Sequence, residues 1–286
     1  MKFTKMHGLG NDYVYVNCFE EPLENVDLPE LARRVSDRHF SIGGDGLILI
    51  LPSDQADFRM RVFNNDGSEA RNCGNGLRCV SKYVYDHELT DKTTFTIETL
   101  GGIVEPVVHV GDDGKVSSVT IDMGEPRLTR QEIPMTGNPE DKVIEYPFTI
   151  QDRTFTMTAV SMGNPHAILF VDEINDQDIL HYGPLIEFHE SFPERTNVEF
   201  IQVLNREEVL FRVWERGSGV TLACGTGACA AAVAAILSGK TDRLVNVQLL
   251  GGDLQIEWRE SNNRVYMTGP ASEVFSGVYN GELPLL

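Results

Sequence analysis

The feature that most constrains this chain is a motif that occurs twice, a cysteine followed by Gly-x-Gly and a helix-forming run. The first copy is Cys73-Gly74-Asn75-Gly76, and the second copy, Cys224-Gly225-Thr226-Gly227, lies 151 residues later. A glycine-rich turn that opens a helix leaves backbone N–H groups free beside the positive end of the helix dipole. Such a turn attracts anions and is expected to lower the pKa of an adjacent thiol. The motif therefore predicts two chemically active cysteines in equivalent positions.

The similarity of the two halves extends beyond the cysteines. Six segments match in the same order, at offsets between 145 residues (Gly124 to Gly269) and 153 residues (Gly10 to Gly163). Because there are two copies rather than many, the pattern indicates a duplicated unit and not a solenoid. We therefore expect two similar domains that face one another.

Short apolar or alternating runs predict strands, and fewer segments have helical periodicity. The predicted strands are Tyr13–Asn17, Gly46–Leu51, Phe58–Phe63, Thr94–Glu98, Ile168–Val171, Glu208–Trp214, Asn246–Leu249 and Leu254–Trp258, and the predicted helices are Pro29–Asp37, Gly76–Asp86, Asp176–Tyr182 and Gly227–Ser238. The last helix is apolar nearly all round, so we expect it to be buried. The prediction is an α+β fold of two pseudo-symmetric domains, each a strongly curved sheet or barrel wrapped around a central helix.

The last matching segment sets the expected domain boundaries. Val119–Gly124 matches Val265–Gly269, which ends shortly before the end of the sequence. The residues that follow are therefore expected to return to the first domain. The predicted halves, with one motif cysteine each, are residues 1–117 plus about 272–286 and residues 118–271.

Composition narrows the classes of partner. The 286 residues are 41% apolar and 23% charged, which is typical of a globular protein with a core. A formal net charge of −19 argues against nucleic acids and anionic membranes, since both are bound through clustered Lys and Arg. We expect no signal peptide or membrane span, because no run approaches the roughly 18 apolar residues that a span needs. Five cysteines, an odd number, indicate free thiols in a reducing compartment, so the expected location is cytoplasmic.

Other uses of the cysteines fit the pattern less well. Cys18, Cys79 and Cys229 lie inside predicted strands or helices, where a cysteine is usually a small buried hydrophobe. A zinc site is disfavoured because the cysteines of each motif have five or four intervening residues, rather than two. A disulfide redox couple between the motif cysteines would lack a C-x-x-C motif, and neither Gly-x-Gly turn continues as a phosphate-binding loop or a dinucleotide fingerprint. The free backbone N–H groups of the two helix starts could instead bind a carboxylate.

Two equivalent acid–base groups on opposing domains can invert a carbon centre. One thiolate removes a proton from one face, and one thiol returns a proton to the other face. A thiol pKa of about 8.5, lowered by a helix start, would make this mixed protonation state accessible near neutral pH. Electrostatic stabilisation of the carbanion and exclusion of water would make a cofactor or metal unnecessary. Racemisation or epimerisation is therefore the reaction class that the duplication explains best.

Seven motifs together resemble diaminopimelate epimerase. They are Gly10-Asn11-Asp12, Phe63-Asn64-Asn65-Asp66-Gly67-Ser68, Cys73-Gly74-Asn75-Gly76, Gly163-Asn164-Pro165-His166, Arg195-Thr196-Asn197-Val198, Glu215-Arg216-Gly217 and Ala223-Cys224-Gly225-Thr226-Gly227. The resemblance runs from near residue 3 to the end of the sequence. Proline racemases and phenazine-biosynthesis isomerases share the general fold but look much less similar over these motifs.

The resemblance implies interconversion of LL- and meso-2,6-diaminopimelate for lysine and peptidoglycan synthesis, by a homodimer without cofactor or metal. It implies that Cys73 and Cys224 are the two bases. Backbone groups of Gly74, Asn75, Gly225 and Thr226 would hold the carboxylate at the reacting carbon, and Asn11, Asn64, Asn164, Asn197, Glu215 and Arg216 would recognise the distal amino acid end. Chemically, Arg216 can bind a carboxylate through two parallel hydrogen bonds, and Glu215 can accept a hydrogen bond from an ammonium group.

Three positions leave questions open. Some family members carry glutamine at the position of Gly46, where its side chain touches substrate, and glycine cannot make that contact. His166 and His39 are candidates for lining the site, although a lone histidine is more often structural.

Two alternatives to the implied function also remain. They are another cofactor-independent racemase, of the proline or hydroxyproline type, and a thiol redox or metal-binding module.

Overall fold

The computed structural model describes all 286 residues, and the chain divides into two compact units. Unit 1 comprises Met1–Ile121 and Gly269–Leu286, and unit 2 comprises Asp122–Thr268. Each unit contains two helices and the greater part of one sheet, which has both parallel and antiparallel neighbours. The α+β class predicted from the sequence is confirmed.

Nineteen strands and four helices make up the two units. In chain order they are β1 (Lys2–Gly8), β2 (Asn11–Asn17), α1 (Leu28–Ser36), β3 (Gly46–Leu51), β4 (Phe58–Asn64), β5 (Glu69–Ala70), α2 (Gly74–Asp86), β6 (Ile97–Thr99), β7 (Gly102–Val104), β8 (Val107–Val110), β9 (Val116–Asp122), β10 (Tyr146–Ile150), β11 (Arg153–Ser161), β12 (Pro165–Phe170), α3 (Asp176–Glu187), β13 (Asn197–Val203), β14 (Glu208–Glu215), β15 (Gly219–Val220), α4 (Gly225–Leu237), β16 (Leu244–Leu249), β17 (Gly252–Trp258), β18 (Val265–Gly269) and β19 (Ser272–Val278).

The two units repeat one topology. The strand order in unit 1 is β19-β1-β2-β3-β4-β6-β7, and in unit 2 it is β10-β11-β12-β13-β14-β16-β17-β18. In each unit the second and third elements of the repeat, β2 and β3 or β12 and β13, pair in parallel. A second parallel pair follows, β4 with β6 or β14 with β16. Parallel neighbours need a crossover, and one helix supplies it in every case. The predicted pseudo-symmetry is thereby confirmed at the level of strand order and helix placement.

The α1 helix illustrates how sequence sets an element of unit 1. The carboxylate of Asp27 accepts a hydrogen bond from the Glu30 N–H at 3.0 Å and so caps the helix start. Leu31, Ala32 and Val35 are fully buried in a cluster with the apolar side chains of the neighbouring strands. This apolar stripe anchors the helix, and burying Leu31 alone contributes about 1.5–3 kcal/mol.

The α4 helix lies at the centre of unit 2. It contacts six strands, namely β11, β12, β13, β14, β16 and β17. Residues Ala228 through Ala235 are all completely buried. Small alanine side chains let the surrounding strands approach the helix closely, which is why the helix can be apolar on every side. The burial predicted for this segment is confirmed.

The structure differs from the sequence prediction in several segments. Helix α3 continues to Glu187 rather than ending at Tyr182, although Pro184 lies inside it. Gly183, the residue before this proline, packs directly on Trp214, where an added Cβ would come within 2.7 Å of the indole Cγ. The predicted strand at 94–98 is shorter and lies at 97–99, and Cys18 follows β2 rather than lying within it.

Enlarging the centre of α4 is expected to destabilise unit 2. Ala231→Leu adds volume at a completely buried position, and overpacking of this kind costs about 1–3 kcal/mol of unfolding free energy. Both tryptophans of the chain, Trp214 and Trp258, belong to unit 2, so urea unfolding followed by tryptophan fluorescence reports on this unit. Ile236→Leu, a volume-conserving change at a half-buried position of the same helix, is the control. Equal unfolding midpoints for the two variants would contradict the close packing.

Candidate active site

Cys73 lies at the N-cap of α2. Its backbone is extended there (φ −149°, ψ 107°), and its Sγ accepts a hydrogen bond from the Gly76 N–H at 3.3 Å. The thiol also faces Asn11, with its Sγ 3.9 Å from Oδ1. The side chain is half-buried. The sulfur therefore sits at the helix start that the glycine-rich motif predicted, in contact with a second predicted site residue.

A chain of amides and charges fixes the surroundings of Cys73. The Asn75 side chain donates to Asn11 Oδ1 at 3.1 Å, and the Asn11 side chain donates to Asp45 Oδ2 at 2.8 Å. Arg78, which is fully buried, donates to Asn75 Oδ1 at 2.9 Å. Each of the two amides is thus held in one orientation. Cys73, Asn11, Asn75 and Asp45 are referred to below as the Cys73 cluster.

A group of charged side chains supports this cluster, and sequence reasoning missed it. The Lys5 ammonium, on a nearly buried side chain, lies 2.6 Å from the Asp12 carboxylate. Arg38 reaches both Asp12, at 2.7 Å, and Asp45, at 2.9 Å. Burial raises the pKa of Asp12, but hydrogen bonds from Arg38 and Lys5 outweigh it and hold that pKa below its ordinary value. Arg38 therefore fixes the carboxylate that orients Asn11.

Asn64 is the remaining predicted residue of unit 1. Its side chain donates to Ser68 Oγ at 3.0 Å and accepts a hydrogen bond from the Tyr13 hydroxyl at 3.5 Å. The Gly46 position lies beside it and has no room for a side chain, since an added Cβ would overlap the carbonyl oxygen of Phe63. A side chain such as the glutamine of some family members therefore has no room at this position.

Cys224 lies at the N-cap of α4, the position equivalent to Cys73. Its backbone has φ −125° and ψ 107°, but its side chain makes no capping hydrogen bond. Instead, its Sγ lies 3.6 Å from the Thr226 hydroxyl, which also accepts from the Asn164 amide at 3.3 Å. Cys224 is buried, whereas Cys73 is half-buried. Two predicted residues therefore surround the second cysteine, in a contact pattern that differs from the first.

A buried histidine–carboxylate pair lies next to this cysteine. His166 Nδ1 is 2.6 Å from Glu199 Oε1, and both side chains are completely buried. His166 Nε2 is 3.0 Å from Asn164 Oδ1, so both ring nitrogens face oxygen atoms. Burial raises the pKa of Glu199, and the neighbouring His166 only partly opposes this. A protonated Glu199 that donates to Nδ1, with an Nε2–H that donates to Asn164, satisfies both contacts.

Gly227 explains why the second motif glycine is required. An added Cβ there would lie 2.8 Å from Glu199 Oε1 and 3.1 Å from Cys224 Sγ. The first turn of α4 can therefore approach the buried carboxylate and the thiol only if this residue lacks a side chain. Cys224, Thr226, Asn164, His166 and Glu199 are referred to below as the Cys224 cluster.

The Glu215–Arg216 loop is held from two sides. The Asn197 amide donates to the Pro165 carbonyl and accepts from the Arg216 N–H, both at 2.9 Å. The Thr221 hydroxyl donates to the Glu215 carboxylate. Arg216 is exposed and donates to the Glu194 carbonyl at 3.0 Å. Asn197 is thus buried and engaged with backbone groups, whereas the two charged side chains lie nearer the surface.

Glu187 supports the same loop from α3, a role that no sequence pattern predicted. One carboxylate oxygen accepts from the Gly217 N–H at 2.9 Å, and the other accepts from the Trp214 indole N–H at 2.7 Å. The extension of α3 past Pro184 brings this carboxylate to the loop. A helix that ended at Tyr182 would leave the loop without it.

Comparison with known proteins decides the family. The family profile described as Diaminopimelate epimerase matches residues 3–129 and 158–274. A protein of Bacillus cereus (strain ATCC 10987 / NRS 248) named Diaminopimelate epimerase is 58% identical over 279 residues, which cover 97% of this chain and 96% of that protein. The chain belongs to the diaminopimelate epimerase family. A protein of the same name from Bacillus anthracis (strain CDC 684 / NRRL 3495) has the same identity and coverage.

More distant solved structures share the fold of this diaminopimelate epimerase family member. A Bacillus anthracis protein of the phenazine biosynthesis PhzF family aligns with a TM-score of 0.67 at 16% identity, over 97% of this chain and 98% of that one. A hydroxyproline epimerase from Agrobacterium vitis aligns with a TM-score of 0.65 at 14% identity, over 97% and 90%. At these identities the likeness shows the fold alone.

Several other predicted features lie apart from these clusters. His39 is exposed in the turn after α1, and its backbone N–H donates to Asp37. No group of three or more His, Cys, Asp or Glu side chains has the arrangement of a metal site. Two surface depressions of unit 2, one near Asp176 and Arg212 and the other near Arg130 and His189, contain none of the predicted site residues.

The expected lowering of the thiol pKa is wrong for both motif cysteines. Burial raises the pKa of the Cys73 thiol above its ordinary value, and the Gly76 N–H and Arg78 offset this only in part. Burial raises the pKa of Cys224 well above its ordinary value, and the Glu215 and Glu199 carboxylates raise it further. Loss of water around a buried sulfur outweighs the helix start. Both groups are therefore thiols in the free protein at neutral pH.

Alkylation of Cys73 is expected to accelerate with pH up to and beyond about pH 9. The thiolate is the reacting form, and a raised pKa keeps its fraction small at neutral pH. Half-buried Cys73 should also react before buried Cys224. Iodoacetamide labelling across this range, followed by peptide mass spectrometry, measures both. Cys79, which burial gives a pKa of about 12, is the unreactive control until urea is added. A Cys73 rate already at its plateau by about pH 7 would contradict the raised pKa.

The Glu199 carboxyl is expected to make the stability of unit 2 depend on pH. Because its folded-state pKa is raised, the folded state binds more protons than the unfolded state. Its stabilising contribution is therefore present below the unfolded pKa of about 4.5 and is lost as pH rises through the folded value. Glu199→Gln should remove this slope from urea midpoints followed by tryptophan fluorescence.

Glu199→Leu provides the matched comparison. It leaves the buried His166 Nδ1 without its carboxyl partner, and a buried polar atom left without a hydrogen bond costs about 1–3 kcal/mol. Glu199→Gln keeps a polar partner and should cost clearly less. An unchanged pH slope in the glutamine variant would show that Glu199 does not titrate in this window.

Proposed function

We propose that this isomerase interconverts LL- and meso-2,6-diaminopimelate by a cofactor-independent mechanism with two cysteine bases. One observation carries the proposal. Cys73 and Cys224 are N-caps of equivalent helices, α2 and α4, in two units of the same topology. The 58% identity to proteins named Diaminopimelate epimerase gives the reaction and substrate. By the role of that reaction in metabolism, the product serves lysine and peptidoglycan synthesis.

The proposed chemistry moves one proton off the α-carbon and one proton onto it. One cysteine first loses its thiol proton to solvent and then reacts as a thiolate, so the α-C–H bond breaks and an S–H bond forms. The other cysteine reacts as a thiol, so its S–H bond breaks and a new C–H bond forms on the opposite face. The roles exchange when the reaction runs in reverse. A buried thiolate with a raised pKa is a stronger base than an ordinary one, which favours removal of a weakly acidic proton.

Backbone groups at the two helix starts are proposed to hold the reacting end of the substrate. The N–H groups of Gly74, Asn75, Gly225 and Thr226 belong to the first turns of α2 and α4, where no intrahelical carbonyl is available to them. They can donate to a carboxylate and stabilise the charge that builds on it as the α-proton leaves. Cys224 is buried and Cys73 is half-buried, and the exclusion of water around them strengthens these interactions.

The distal amino acid end is proposed to meet six polar side chains, of which two belong to the clusters defined above. Asn11, Asn64, Asn164 and Asn197 offer amides, Glu215 offers a carboxylate for an ammonium group, and Arg216 offers a guanidinium for a carboxylate. The hydrogen bonds that orient the four amides support this assignment. A proline-type substrate has no distal ammonium and carboxylate. That alternative and the redox or metal-binding module are not favoured, since the close relatives carry the diaminopimelate name.

Location and assembly stay predictions. No helix of the structure is long and apolar enough to cross a membrane. A cytoplasmic location is supported by five free cysteines. A homodimer is supported by β19, an edge strand of the unit 1 sheet that exposes Val274, Phe275 and Val278.

The decisive experiment follows α-proton exchange of LL-diaminopimelate in deuterated water by proton NMR, together with conversion to the meso isomer. The wild-type protein should catalyse both. Cys73→Ser and Cys224→Ser should each lose at least about a thousandfold in epimerisation, because a serine hydroxyl is a far weaker acid than a thiol and cannot supply the base.

Cys18→Ser is the control. This thiol is half-buried, lies just after β2 and touches neither cluster, so its loss should leave turnover unchanged. Wild-type turnover in either motif variant would remove that cysteine from the proposed mechanism. Absence of exchange with LL-diaminopimelate in the wild type would reject the substrate.

A further inference from the structure

Three residues form a row across neighbouring strands of unit 1. Val14 of β2 pairs with Leu47 of β3, so the preceding residues, Tyr13 and Gly46, also lie side by side. Gly46 pairs in turn with Asn64 of β4. Residues in one row of a sheet point to the same face. Tyr13 and Asn64 are therefore separated by one strand whose residue in that row has no side chain.

The Tyr13 ring occupies the space that the missing side chain leaves. A Cβ added to Gly46 would lie 2.8 Å from Tyr13 Cε1 and 3.0 Å from the Asn64 Cα. An aromatic ring that covers a cross-strand glycine is a recognised way of filling a gap in a sheet. Here it also carries the phenol across β3 to the residue beyond.

The hydroxyl ends among the predicted site residues. It donates to Asn64 Oδ1 at 3.5 Å, and Asn64 Nδ2 donates to Ser68 Oγ at 3.0 Å. Tyr13 is nearly buried, and after burial the groups that most raise its pKa are Cys73 and Asp45 of the Cys73 cluster. The hydroxyl is therefore a neutral donor at neutral pH and sits beside the thiol as well as the amide.

We propose that Tyr13 is a positioning residue for substrate binding, and that its hydroxyl takes the place of a side chain at Gly46 by fixing the Asn64 amide. With Oδ1 held by Tyr13 and Nδ2 held by Ser68, Asn64 presents one free N–H and one free lone pair in set directions. Those are the groups that a substrate carboxylate and ammonium would use. The inference rests on the proposed function, because it assigns Asn64 to the distal end of diaminopimelate.

Tyr13→Phe tests the role of the hydroxyl alone, since the ring still covers Gly46. The KM for LL-diaminopimelate should rise by about threefold to tenfold with kcat nearly unchanged, which is the effect of losing one hydrogen bond that helps substrate binding. The urea unfolding midpoint should stay at the wild-type value. A purely structural tyrosine would shift the midpoint and leave the KM alone.

Tyr15→Phe is the matched control. Tyr15 lies two residues further along β2, on the same face, pairs with Ile48 and makes no hydrogen bond to Asn64. Its KM should equal the wild-type value. In an Asn64→Ala background, Tyr13→Phe should add no further rise in KM, because the group that the hydroxyl orients is already gone.

The outcomes separate the inference from the proposed function. If wild type epimerises diaminopimelate and Tyr13→Phe has the wild-type KM, the inference is wrong and the function stands. If the two substitutions raise the KM additively, Tyr13 does not act through Asn64 and the inference is also wrong. If wild type fails to turn over diaminopimelate, the proposed function itself is rejected before the variants are compared.

Discussion

The placement of a cysteine at the N-cap of a helix packed inside a sheet is the constraint on which the rest of the structure depends. The N-cap residue has extended backbone, so its sulfur projects toward the free N–H groups of the first turn. The turn can lie against neighbouring strands only where glycine leaves room. At Gly76 an added Cβ would come within 2.7 Å of Ile48 Cδ1, and at Gly227 within 2.8 Å of Glu199 Oε1. The position of the glycines, the burial of the helix and the position of the thiol therefore depend on one another.

Burial raises the thiol pKa and the helix start lowers it, and the effect of burial is the larger. A helix start offers a partial positive charge that falls off within one turn, worth typically 0.3–1 kcal/mol when exposed. Removing water from a thiolate costs more than that in a site closed to solvent. The consequence for catalysis is favourable rather than harmful. A thiolate formed in such a place is poorly solvated and strongly basic, and the same dry surroundings strengthen any hydrogen bond to the substrate.

Much of this architecture could be predicted from the sequence, because it is carried by local patterns that occur twice. The two cysteine motifs, the buried α4 segment and the order of strands and helices follow from periodicity, glycine placement and the repeat. What could not be predicted depends on neighbours distant in the chain. From the sequence alone, Lys5 would be expected to be a solvent-exposed charge on a strand. Only the pairing of β1 with β2 brings it to Asp12. The reach of Tyr13 over Gly46 likewise depends on the register of three strands.

The two units have the same topology, but the two thiols have different neighbours. Cys73 receives the Gly76 N–H and lies near Arg78, both of which favour its thiolate. Cys224 has no capping hydrogen bond, and the nearby Glu215 carboxylate favours its thiol. A two-base mechanism needs one base and one acid at the same moment, and different neighbours favour loss of the proton from one thiol before the other. The neighbours of the two sulfurs therefore differ, although both cysteines keep the same N-cap position.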